Sequence, residues 1–396
     1  MTVWLDIIGC GEGELPHIPA THAIIAPKRL IDRLRAAGTT SAQLVEWRSP
    51  KLDDMIAQVT AFRGTPTVVL ASGDPLWFGI GATLLRHLPP AELRFTPHAS
   101  SFQVAAARQR WPLQNVVTLS AHARPAEVIH PHLAPGNRIL ALTTDATTAP
   151  HVARLLVERG YGRSVLTVLE NLGGPDERAT SAEALGFALT HGDFYVLAID
   201  CVADPGASLL PPVPGLPDEA FVSDGQLTKR EVRAATLAKL APYPGALLWD
   251  VGAGCGSVGI EWMRAARDAR TIAFEREGER LQMIAVNAAN LGVPSLQIEN
   301  GDAPDSFIGM PAPDAIFLGG GVAGETLFHA CWTALRSGGR LVANAVTLEG
   351  EQALYDRQAR LGGDLARIEI SVLDTIGPHR AFRPRMAVTQ WSVTKP

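Results

Sequence analysis

Residues 247–261 read LLWDVGAGCGSVGIE, and this stretch decides the fold of the C-terminal half of the chain. An apolar run ends at Asp250 and is followed by three glycines at alternate positions: Gly252, Gly254 and Gly256. A continuous apolar run is typical of a buried parallel strand, and glycines allow the backbone to turn sharply and to approach a ligand closely. Residues 258–266 have the pattern of a helix start. We therefore predict a strand, a glycine loop and a helix, the arrangement that receives nucleotide-like ligands at the carboxyl end of a sheet.

Acidic residues or glycines also follow the next three predicted strands. The strand 270–274 is followed by Glu275, whose carboxylate can accept hydrogen bonds from both hydroxyls of a ribose. The strand 296–299 leads into an acidic turn with Asp302 and Ala303, at the place where an adenine would lie. The strand 314–318 runs into three consecutive glycines. Each of these could be an ordinary turn, but four strand ends in register favour a nucleoside site.

Glycine spacing and charge separate two cofactors that both contain adenosine. The dinucleotide fingerprint is G-x-G-x-x-G, with a pyrophosphate at the start of the helix. Here the third glycine comes one residue earlier and Asp250 precedes the loop. A carboxylate at that point suits the cationic methionine end of S-adenosylmethionine better than it suits phosphates. The pattern resembles the class I S-adenosylmethionine-dependent methyltransferases, and residues 364–372 and 385–393 have the pattern of the antiparallel pair that closes their sheet.

Composition limits the class of protein. At 396 residues, two domains are expected, and 46% hydrophobic with 19% charged residues is typical of a globular protein. A formal net charge of −5 without basic runs argues against a nucleic-acid partner. The four cysteines are far apart, so neither a disulfide framework nor a metal site is predicted. Without a signal peptide or a membrane-spanning apolar run, we expect a cytoplasmic protein with no membrane partner.

A proline-rich segment marks the predicted domain boundary. Residues 204–218 contain five prolines and no hydrophobic periodicity, which is typical of an extended, semi-stiff linker. We predict a domain over residues 1–204, with subdomains of about 1–120 and 121–204, then a linker over 205–218 and a second domain over 219–396.

The first domain has an αβ pattern throughout. Strands are predicted over residues 3–9, 21–26, 44–47, 67–71, 116–119, 138–143, 164–170 and 194–200. Helices are predicted over residues 28–37, 52–62, 149–158 and 182–189, and a further helix, capped by a serine of the PHASS motif, is predicted to run to Trp111.

Three motifs in this half resemble the class III tetrapyrrole methyltransferases of cobalamin and sirohaem synthesis. They are Ile8-Gly9-x-Gly11-x-Gly13, Ser72-Gly73-Asp74-Pro75 and Pro97-His98-Ala99-Ser100-Ser101. The loop ENLGGPDE at residues 170–177 looks like the subgroup that acts at carbon 5 of the precorrin ring. In the other half, LTKREVR at residues 227–233 ahead of the glycine loop looks like the decarboxylating subgroup that acts at carbon 15. The fusion of the two halves is similar to the bifunctional precorrin methyltransferases of cobalamin (vitamin B12) biosynthesis, although residues 13–26 are shorter than in that family.

The resemblance implies the fold, the cofactor and the site residues. The fold would be α/β, with a class III half of two αβ subdomains and a Rossmann-like class I half with a seven-stranded sheet. Each half would bind one S-adenosyl-L-methionine. The implied cofactor-binding residues are Gly9, Gly11, Gly73, Asp74, Pro75, Ser100 and Ser101 in the first half, and Asp250, Gly252, Gly254, Gly256, Glu275, Asp302 and Ala303 in the second.

The implied substrate is a precorrin, which carries many carboxylates and should meet cationic side chains. Candidates are Lys229, Arg230 and Arg233 before the glycine loop, and Arg380, Arg383 and Arg385 near the final strand pair. For each of these, a solvated helix face or turn is the alternative. No catalytic acid or base can be named, because the cofactor's methyl group is already activated. Both families usually form homo-oligomers, so we expect one here.

Two other functions share parts of this pattern. An RNA methyltransferase would share the C-terminal sheet, but it would need a basic groove that this composition does not supply. A nicotinamide dehydrogenase disagrees with the glycine spacing.

Overall fold

The structure is a computed structural model that describes residues 2–38, 40–47 and 51–396. The chain divides into two compact units, which we call the N-terminal unit (Met1–Ala126 and Pro135–Ser208) and the C-terminal unit (Glu127–Ala134 and Leu209–Pro396). The main division therefore falls after Ser208, inside the segment whose prolines predicted a linker.

The first part of the N-terminal unit is a five-stranded sheet with helices. Its strands are β1 (Leu5–Cys10), β2 (Ala23–Ala26), β3 (Gln43–Glu46), β4 (Thr67–Ser72) and β5 (Leu93–Thr96), and its helices are α1 (Lys28–Ala37), α2 (Leu52–Thr60) and α3 (Ile80–His87). The strand order is β3-β2-β4-β1-β5, and every pair is parallel. Apolar residues cover both faces of the sheet, which explains why β2 and β4 are nearly continuous apolar runs.

The second part of the N-terminal unit contains α4 (Ser101–Gln109), β6 (Val116–Ser120), β7 (Arg138–Leu142), α5 (Thr148–Glu158), β8 (Val165–Glu170), β9 (Arg178–Glu183) and β10 (Tyr195–Asp200). Its strand order is β6-β7-β10-β8-β9, with only β6 and β7 parallel. The helix predicted over residues 182–189 is wrong. Residues up to Glu183 belong to the edge strand β9, where the pairing partner β8 satisfies the backbone, and Gly186, at φ +78°, lies in a turn.

The C-terminal unit is built on a seven-stranded sheet. Its helices are α6 (Arg230–Leu240), α7 (Ser257–Ala265), α8 (Gly278–Asn290), α9 (Glu325–Ala334) and α10 (Leu348–Leu361). Its strands are β11 (Leu247–Val251), β12 (Arg270–Glu275), β13 (Gln297–Asn300), β14 (Ala315–Leu318), β15 (Arg340–Ala345), β16 (Asp364–Ile368), β17 (Ser371–Ile376), β18 (His379–Pro384) and β19 (Val388–Thr394).

The strand order of this sheet is β13-β12-β11-β14-β15-β19-β16. The first five strands are parallel, and β19 runs antiparallel between β15 and β16. This confirms the predicted seven-stranded sheet and its antiparallel closing pair. The pair is shorter than predicted because residues 371–384 form a separate two-stranded hairpin, β17–β18.

The second half of the predicted linker packs against the C-terminal unit. Leu216 is only 2% exposed and joins a core cluster with Phe221 and Ile260. The carboxylate of Glu261 accepts hydrogen bonds from the backbone N–H groups of Gly215 and Leu216, at 2.6 and 3.0 Å. Prolines predicted an extended backbone, but side chains elsewhere in the fold hold that backbone in place, and the sequence pattern does not show them.

Across the described part of the chain, the helices are too short or too polar for any of them to span a bilayer.

Candidate cofactor sites

A cavity of about 1060 Å³ opens at the carboxyl ends of the parallel strands in the C-terminal unit. Its wall includes the glycine loop after β11, the ends of β12 and β13, and the glycines after β14. The predicted residues that line it are Gly252, Gly254, Glu275, Asp302, Ala303, Lys229 and Arg385. Parallel strands direct their carboxyl ends to one edge, which is why the loops that follow β11, β12, β13 and β14 meet here.

The glycine loop leaves room for a ligand only because side chains are missing. Gly252 has φ +70°, and a Cβ atom there would lie 2.9 Å from the backbone nitrogen of Gly320. The loop is held against β12, since Gly252 and Ala253 donate backbone hydrogen bonds to the carbonyl of Phe274 at 3.0 and 3.2 Å. A side chain at Gly252 would therefore collide with the neighbouring loop.

Glu275 connects the glycine loop to the end of β12. Its Oε2 accepts a hydrogen bond from Gly254 N at 2.8 Å, and its Oε1 accepts from Arg276 N and Glu277 N at 2.9 and 3.1 Å. The side chain is nearly buried yet lines the cavity. Because Oε2 has one protein donor and a carboxylate oxygen has two lone pairs, it can accept a further hydrogen bond from a ligand hydroxyl.

Asp250 lies beneath the loop. It is fully buried and does not line this cavity, and its Oδ2 accepts a hydrogen bond from Gly259 N in α7 at 2.9 Å. Among the described residues its Oδ1 has no hydrogen-bond partner. Burial raises the pKa of Asp250 to about 7, and the nearby Glu275 carboxylate adds to the rise. Asp250 therefore fixes the start of α7, and nothing places its carboxylate against a ligand.

The remaining predicted cofactor residues of this half differ in position. Gly256 caps α7 with φ +80°, and a Cβ atom there would be 3.1 Å from Ile284, so it faces α8 in the core and is not among the described residues that line the cavity. Asp302 has a 74% exposed side chain and lies 3.4 Å from Arg276 at the end of β13.

The six candidate substrate cations separate into different roles. Lys229 and Arg385 line the cavity. Arg383 pairs with Asp374 across the β17–β18 hairpin at 3.2 Å, and Arg380 and Arg230 are exposed.

The prediction that Arg233 contacts the substrate is wrong. Its side chain is fully buried and donates to Glu261 Oε1 at 2.6 Å, to Asp218 Oδ1 at 3.1 Å and to backbone carbonyls including that of Leu216. It cannot meet a substrate, because no part of it is exposed. Sequence alone does not separate Arg233 from its exposed neighbours, since its carboxylate partners lie 15 and 28 residues away.

In the N-terminal unit, three predicted motifs meet at the carboxyl edge of the parallel sheet. They follow β1, β4 and β5, which are adjacent in the sheet. Gly73 N donates to Cys10 O at 2.8 Å, and a Cβ atom on Gly9 would lie 2.6 Å from both Gly73 O and His98 Cβ. The close approach of these loops requires glycine at position 9.

The polar residues of these motifs shape the turns. Asp74 Oδ1 accepts from the backbone N–H groups of Leu76 and Trp77 at 2.8 and 3.1 Å. Ser100 caps α4 as predicted: its side chain accepts from Gln103 N, and the Gln103 side chain accepts from Ser100 N. Ser101 begins α4, and its backbone nitrogen would lie 3.3 Å from a Cβ atom on Gly73. Gly9, Gly11, Gly73, Asp74, Pro75, Ser100 and Ser101 thus all belong to one loop cluster at the edge of the sheet.

The loop at residues 170–177 reaches the same cluster. A Cβ atom on Gly174 would lie 3.0 Å from Glu12 Cβ, and one on Gly13 would lie 3.4 Å from Gly173 O. Glu12 forms an ion pair with Arg29 of α1, and Arg29 also donates to Ser72 Oγ at 2.5 Å. The sequence interpretation missed Arg29, and its only signal was a cation at the start of a helix that follows a buried strand.

The sequence interpretation also missed Arg280 and Asn344, which line the C-terminal cavity. Arg280 pairs with Asp224 at 2.7 Å and so holds the segment before α6 near the cavity. No motif announces either residue.

Comparison with known proteins matches a different family model to each half of the chain. A family model described as tetrapyrrole (corrin/porphyrin) methylases matches residues 20–186, and one described as a precorrin methyltransferase domain matches residues 219–395. A precorrin-6Y C(5,15)-methyltransferase (decarboxylating) from Sinorhizobium sp is 46% identical over 99% of this chain and 96% of its own. The chain belongs to this precorrin-6Y C(5,15)-methyltransferase family.

Other members of the family and one solved domain are also similar. The enzyme of the same name from Mycobacterium tuberculosis (strain ATCC 25618 / H37Rv) is 41% identical over 90% of this chain and 89% of its own. The crystal structure of the C-terminal domain of the Rhodobacter capsulatus precorrin-6Y C5,15-methyltransferase is 41% identical, with a TM-score of 0.45, and covers 47% of this chain and 100% of that one. Membership of the family confirms the predicted enzyme class, an S-adenosylmethionine-dependent methyltransferase.

Proposed function

We propose that this chain methylates a precorrin at two carbons with S-adenosylmethionine, using one cofactor site in each unit. The C-terminal unit would act at carbon 15 and remove the carboxyl group of an acetate side chain, and the N-terminal unit would act at carbon 5. The observation that carries the proposal is that each unit gathers its glycine-containing loops at the carboxyl edge of its own parallel sheet.

The residues of the C-terminal cavity fit an adenosine-containing cofactor. Glycines at 252 and 254 leave space where side chains would collide with neighbouring backbone or narrow the cavity, and Glu275 retains a lone pair for a ribose hydroxyl. Asp302 and Ala303 lie one strand further along, where the adenine would follow the ribose. When bound, S-adenosylmethionine supplies an activated methyl group, so this chain's residues need chiefly to align it with the substrate carbon. Alignment of this kind can contribute roughly 7–11 kcal/mol in favourable cases.

The N-terminal loops fit the same cofactor through their backbone. Side chains of Asp74 and Ser100 are occupied in holding turns, so they leave backbone groups and glycines to face a ligand. This arrangement supports the inference that the cofactor of this unit is bound mainly by backbone groups.

The substrate's carboxylates would meet Lys229 and Arg385 in the C-terminal cavity. For the decarboxylation, the bond between the acetate methylene and its carboxyl carbon breaks and its electron pair enters the substrate's conjugated ring. Carbon dioxide leaves, and the methylene carbon takes a proton from solvent to become a methyl group. The residues that bind the substrate must therefore orient this carboxylate and leave the methylene carbon open to solvent.

The RNA methyltransferase alternative is not favoured, because the relatives with high identity over nearly the full chain are precorrin methyltransferases. Assembly into a homo-oligomer and a cytoplasmic location stay predictions based on the family resemblance.

Calorimetric titration with S-adenosylhomocysteine tests the two sites. The wild type should bind two molecules per chain, and Gly252→Val and Gly73→Val should each remove one. Gly73 has φ +68°, and a Cβ atom there would meet the backbone of Ser101 at 3.3 Å. Gly245→Val and Gly64→Val are matched controls, because these glycines have φ +77° and +85° but no atom within 4 Å of the added carbon. Binding of one molecule to the wild type would contradict the proposal.

A further inference from the structure

Three polar side chains form a network beside the C-terminal cavity. Asn344 on β15 lies directly opposite Gln390 on β19, and Thr236 of α6 packs against both. Asn344 Nδ2 donates to Thr236 Oγ1 at 3.0 Å, while Gln390 Nε2 donates to Thr236 Oγ1 and to Asn344 Oδ1, both at 3.0 Å. Thr236 and Gln390 are buried, and Asn344 is half-buried and lines the cavity.

Counting hydrogens shows that this network fixes the orientation of the Asn344 amide. Both hydrogens of Gln390 Nε2 are used. The Thr236 hydroxyl donates to Val232 O at 2.8 Å and accepts from the two amides, so its hydrogen and both lone pairs are used. Turning the Asn344 amide over would place Nδ2 against Gln390 Nε2, donor against donor. In the observed orientation Asn344 keeps one N–H and one lone pair that none of these bonds uses.

Asn344 lies on the side of the cavity away from the predicted adenosine contacts. Glu275 ends β12, whereas β15 is three strands away in the order β12-β11-β14-β15. With neighbouring strands about 4.8 Å apart, the two positions are roughly 14 Å from each other. The side chain therefore faces the region that remains for the substrate, which Arg385 also lines.

We infer that the fixed N–H of Asn344 donates to the substrate acetate carboxylate that is lost as carbon dioxide. This rests on the proposed function. A cation at this point would stabilise the carboxylate strongly before the reaction and lose that interaction as carbon dioxide leaves, which would raise the barrier. A neutral amide orients the carboxylate with a smaller ground-state stabilisation. Asn344 is thus a residue that contacts the reacting group, and Gln390 is a positioning residue that acts through it.

The test compares Asn344→Ala and Asn344→Asp with the wild type. The carbon dioxide released and the methyl groups added per precorrin-6Y are measured by mass spectrometry. The affinity for S-adenosylhomocysteine is measured by calorimetry. Asn344→Asp keeps the shape and the acceptor for Gln390, but it replaces the N–H donor to Thr236 and to the substrate by a carboxylate oxygen and adds a negative charge, so it tests the donor at nearly unchanged packing. We expect carbon dioxide release by both variants to fall roughly tenfold to a hundredfold, because the breaking bond is no longer held in alignment with the conjugated ring, with cofactor affinity unchanged.

Two further variants sharpen the result. Gln390→Ala frees the Asn344 amide to rotate and should lower carbon dioxide release less than Asn344→Ala, and adding it to Asn344→Ala should cause no further loss. Gln352→Ala, on the exposed face of α10, is the control for removing a surface amide and should behave like the wild type.

The outcomes are distinct. Wild-type rates of carbon dioxide release by the Asn344 variants would overturn the inference. A loss of S-adenosylhomocysteine affinity by the same factor would also overturn it, because Asn344 would then belong to the cofactor contacts. Absence of carbon dioxide release by the wild type would contradict the proposed function itself.

Discussion

Asp250 and Glu275 lie on adjacent strands, but they have different surroundings. Asp250 is buried with one backbone donor, whereas the two oxygens of Glu275 accept from three backbone N–H groups. Both acids were predicted to contact the cofactor. Of the two, the structure places only Glu275 on the cavity wall. The motif alone does not reveal this difference, because burial depends on the helix that covers the strand.

The raised pKa of Asp250 makes the stability of the C-terminal unit depend on pH. The pKa of Asp250 in the folded protein, about 7, lies above its ordinary value of 3.8, so charging of this carboxyl opposes folding. The contribution of Asp250 to the free energy of unfolding is present in full below about pH 4. It is lost as the pH rises to about 7, at about 1.4 kcal/mol per pH unit. Asp250→Asn can still accept from Gly259 N and removes this dependence. In urea unfolding between pH 4 and 8, the free energy of unfolding of the variant should rise relative to that of the wild type up to about pH 7. An equal pH dependence of the two free energies would show that burial does not raise the pKa of Asp250.

Glu275 should contribute to cofactor binding at the C-terminal site. Glu275→Ala is expected to weaken S-adenosylhomocysteine binding there by about 1.5–3 kcal/mol, through loss of the ribose hydrogen bond and of the support for Gly254 N. Calorimetry on Gly73→Val protein isolates this site, and Glu277→Ala, an exposed neighbour, is the control. Unchanged affinity would show that Glu275 does not bind the ribose of the cofactor.

At the scale of elements, a buried ion pair holds the segment that precedes α6. Arg233 and Glu261 are both buried, and between them they bind backbone groups of residues 215, 216 and 228. Arg233 also lies against the Phe221 ring, with 4.7 Å from its guanidinium carbon to the ring centre. The pair therefore fixes the path of the chain from Gly215 to the cavity wall at Thr228.

Arg233→Met should destabilise the protein without a specific effect on substrate binding. Leaving the Glu261 carboxylate buried and unpaired is expected to cost about 3–5 kcal/mol of unfolding free energy. Arg230→Met, at an exposed position one helical turn earlier, should change unfolding by less than about 0.5 kcal/mol. Chemical denaturation compares the two variants, and equal stability of both would show that the buried pair does not hold the segment.

Parallel strands and their glycine turns could be predicted from sequence, because strands covered on both faces are apolar runs and close loop contacts require glycine. The edge strand β9 could not, since none of its residues is buried and its pairing with β8 is a long-range property. The β17–β18 hairpin was missed for the same reason, and only its first two residues were assigned to the closing pair. The Asn344 network escaped detection because its members are up to 154 residues apart.

At the scale of the whole molecule, the main division between the two units lies inside the proline-rich segment, and the short stretch Glu127–Ala134 also belongs to the C-terminal unit. The division after Ser208 places residues 209–218 with the C-terminal unit, where Leu216 is buried. The separability of two domains is a prediction, and the packing of this segment says where a cut should be made: within residues 205–208, ahead of the packed part.

Fragments test this boundary. A C-terminal fragment that begins at residue 206 contains all of the C-terminal unit except Glu127–Ala134, and it should be soluble and bind S-adenosylhomocysteine. A matched fragment that begins at residue 218 loses Leu216, whose burial is worth about 1.5–3 kcal/mol, and the backbone bonds to Glu261, so it should have a lower melting temperature. Equal melting temperatures would mean that residues 209–217 contribute nothing to the C-terminal fold.

One measurement tests the central claim of two separate sites most directly. Purified wild type, Gly252→Val and Gly73→Val are each incubated with precorrin-6Y and labelled S-adenosylmethionine. The masses of the products are then measured by mass spectrometry. The wild type should add two methyl groups and release one carbon dioxide. Gly252→Val should release no carbon dioxide and not methylate carbon 15, whereas Gly73→Val should lose only the methyl group at carbon 5. Loss of both methylations in either folded variant, or carbon dioxide release by Gly252→Val, would contradict the account.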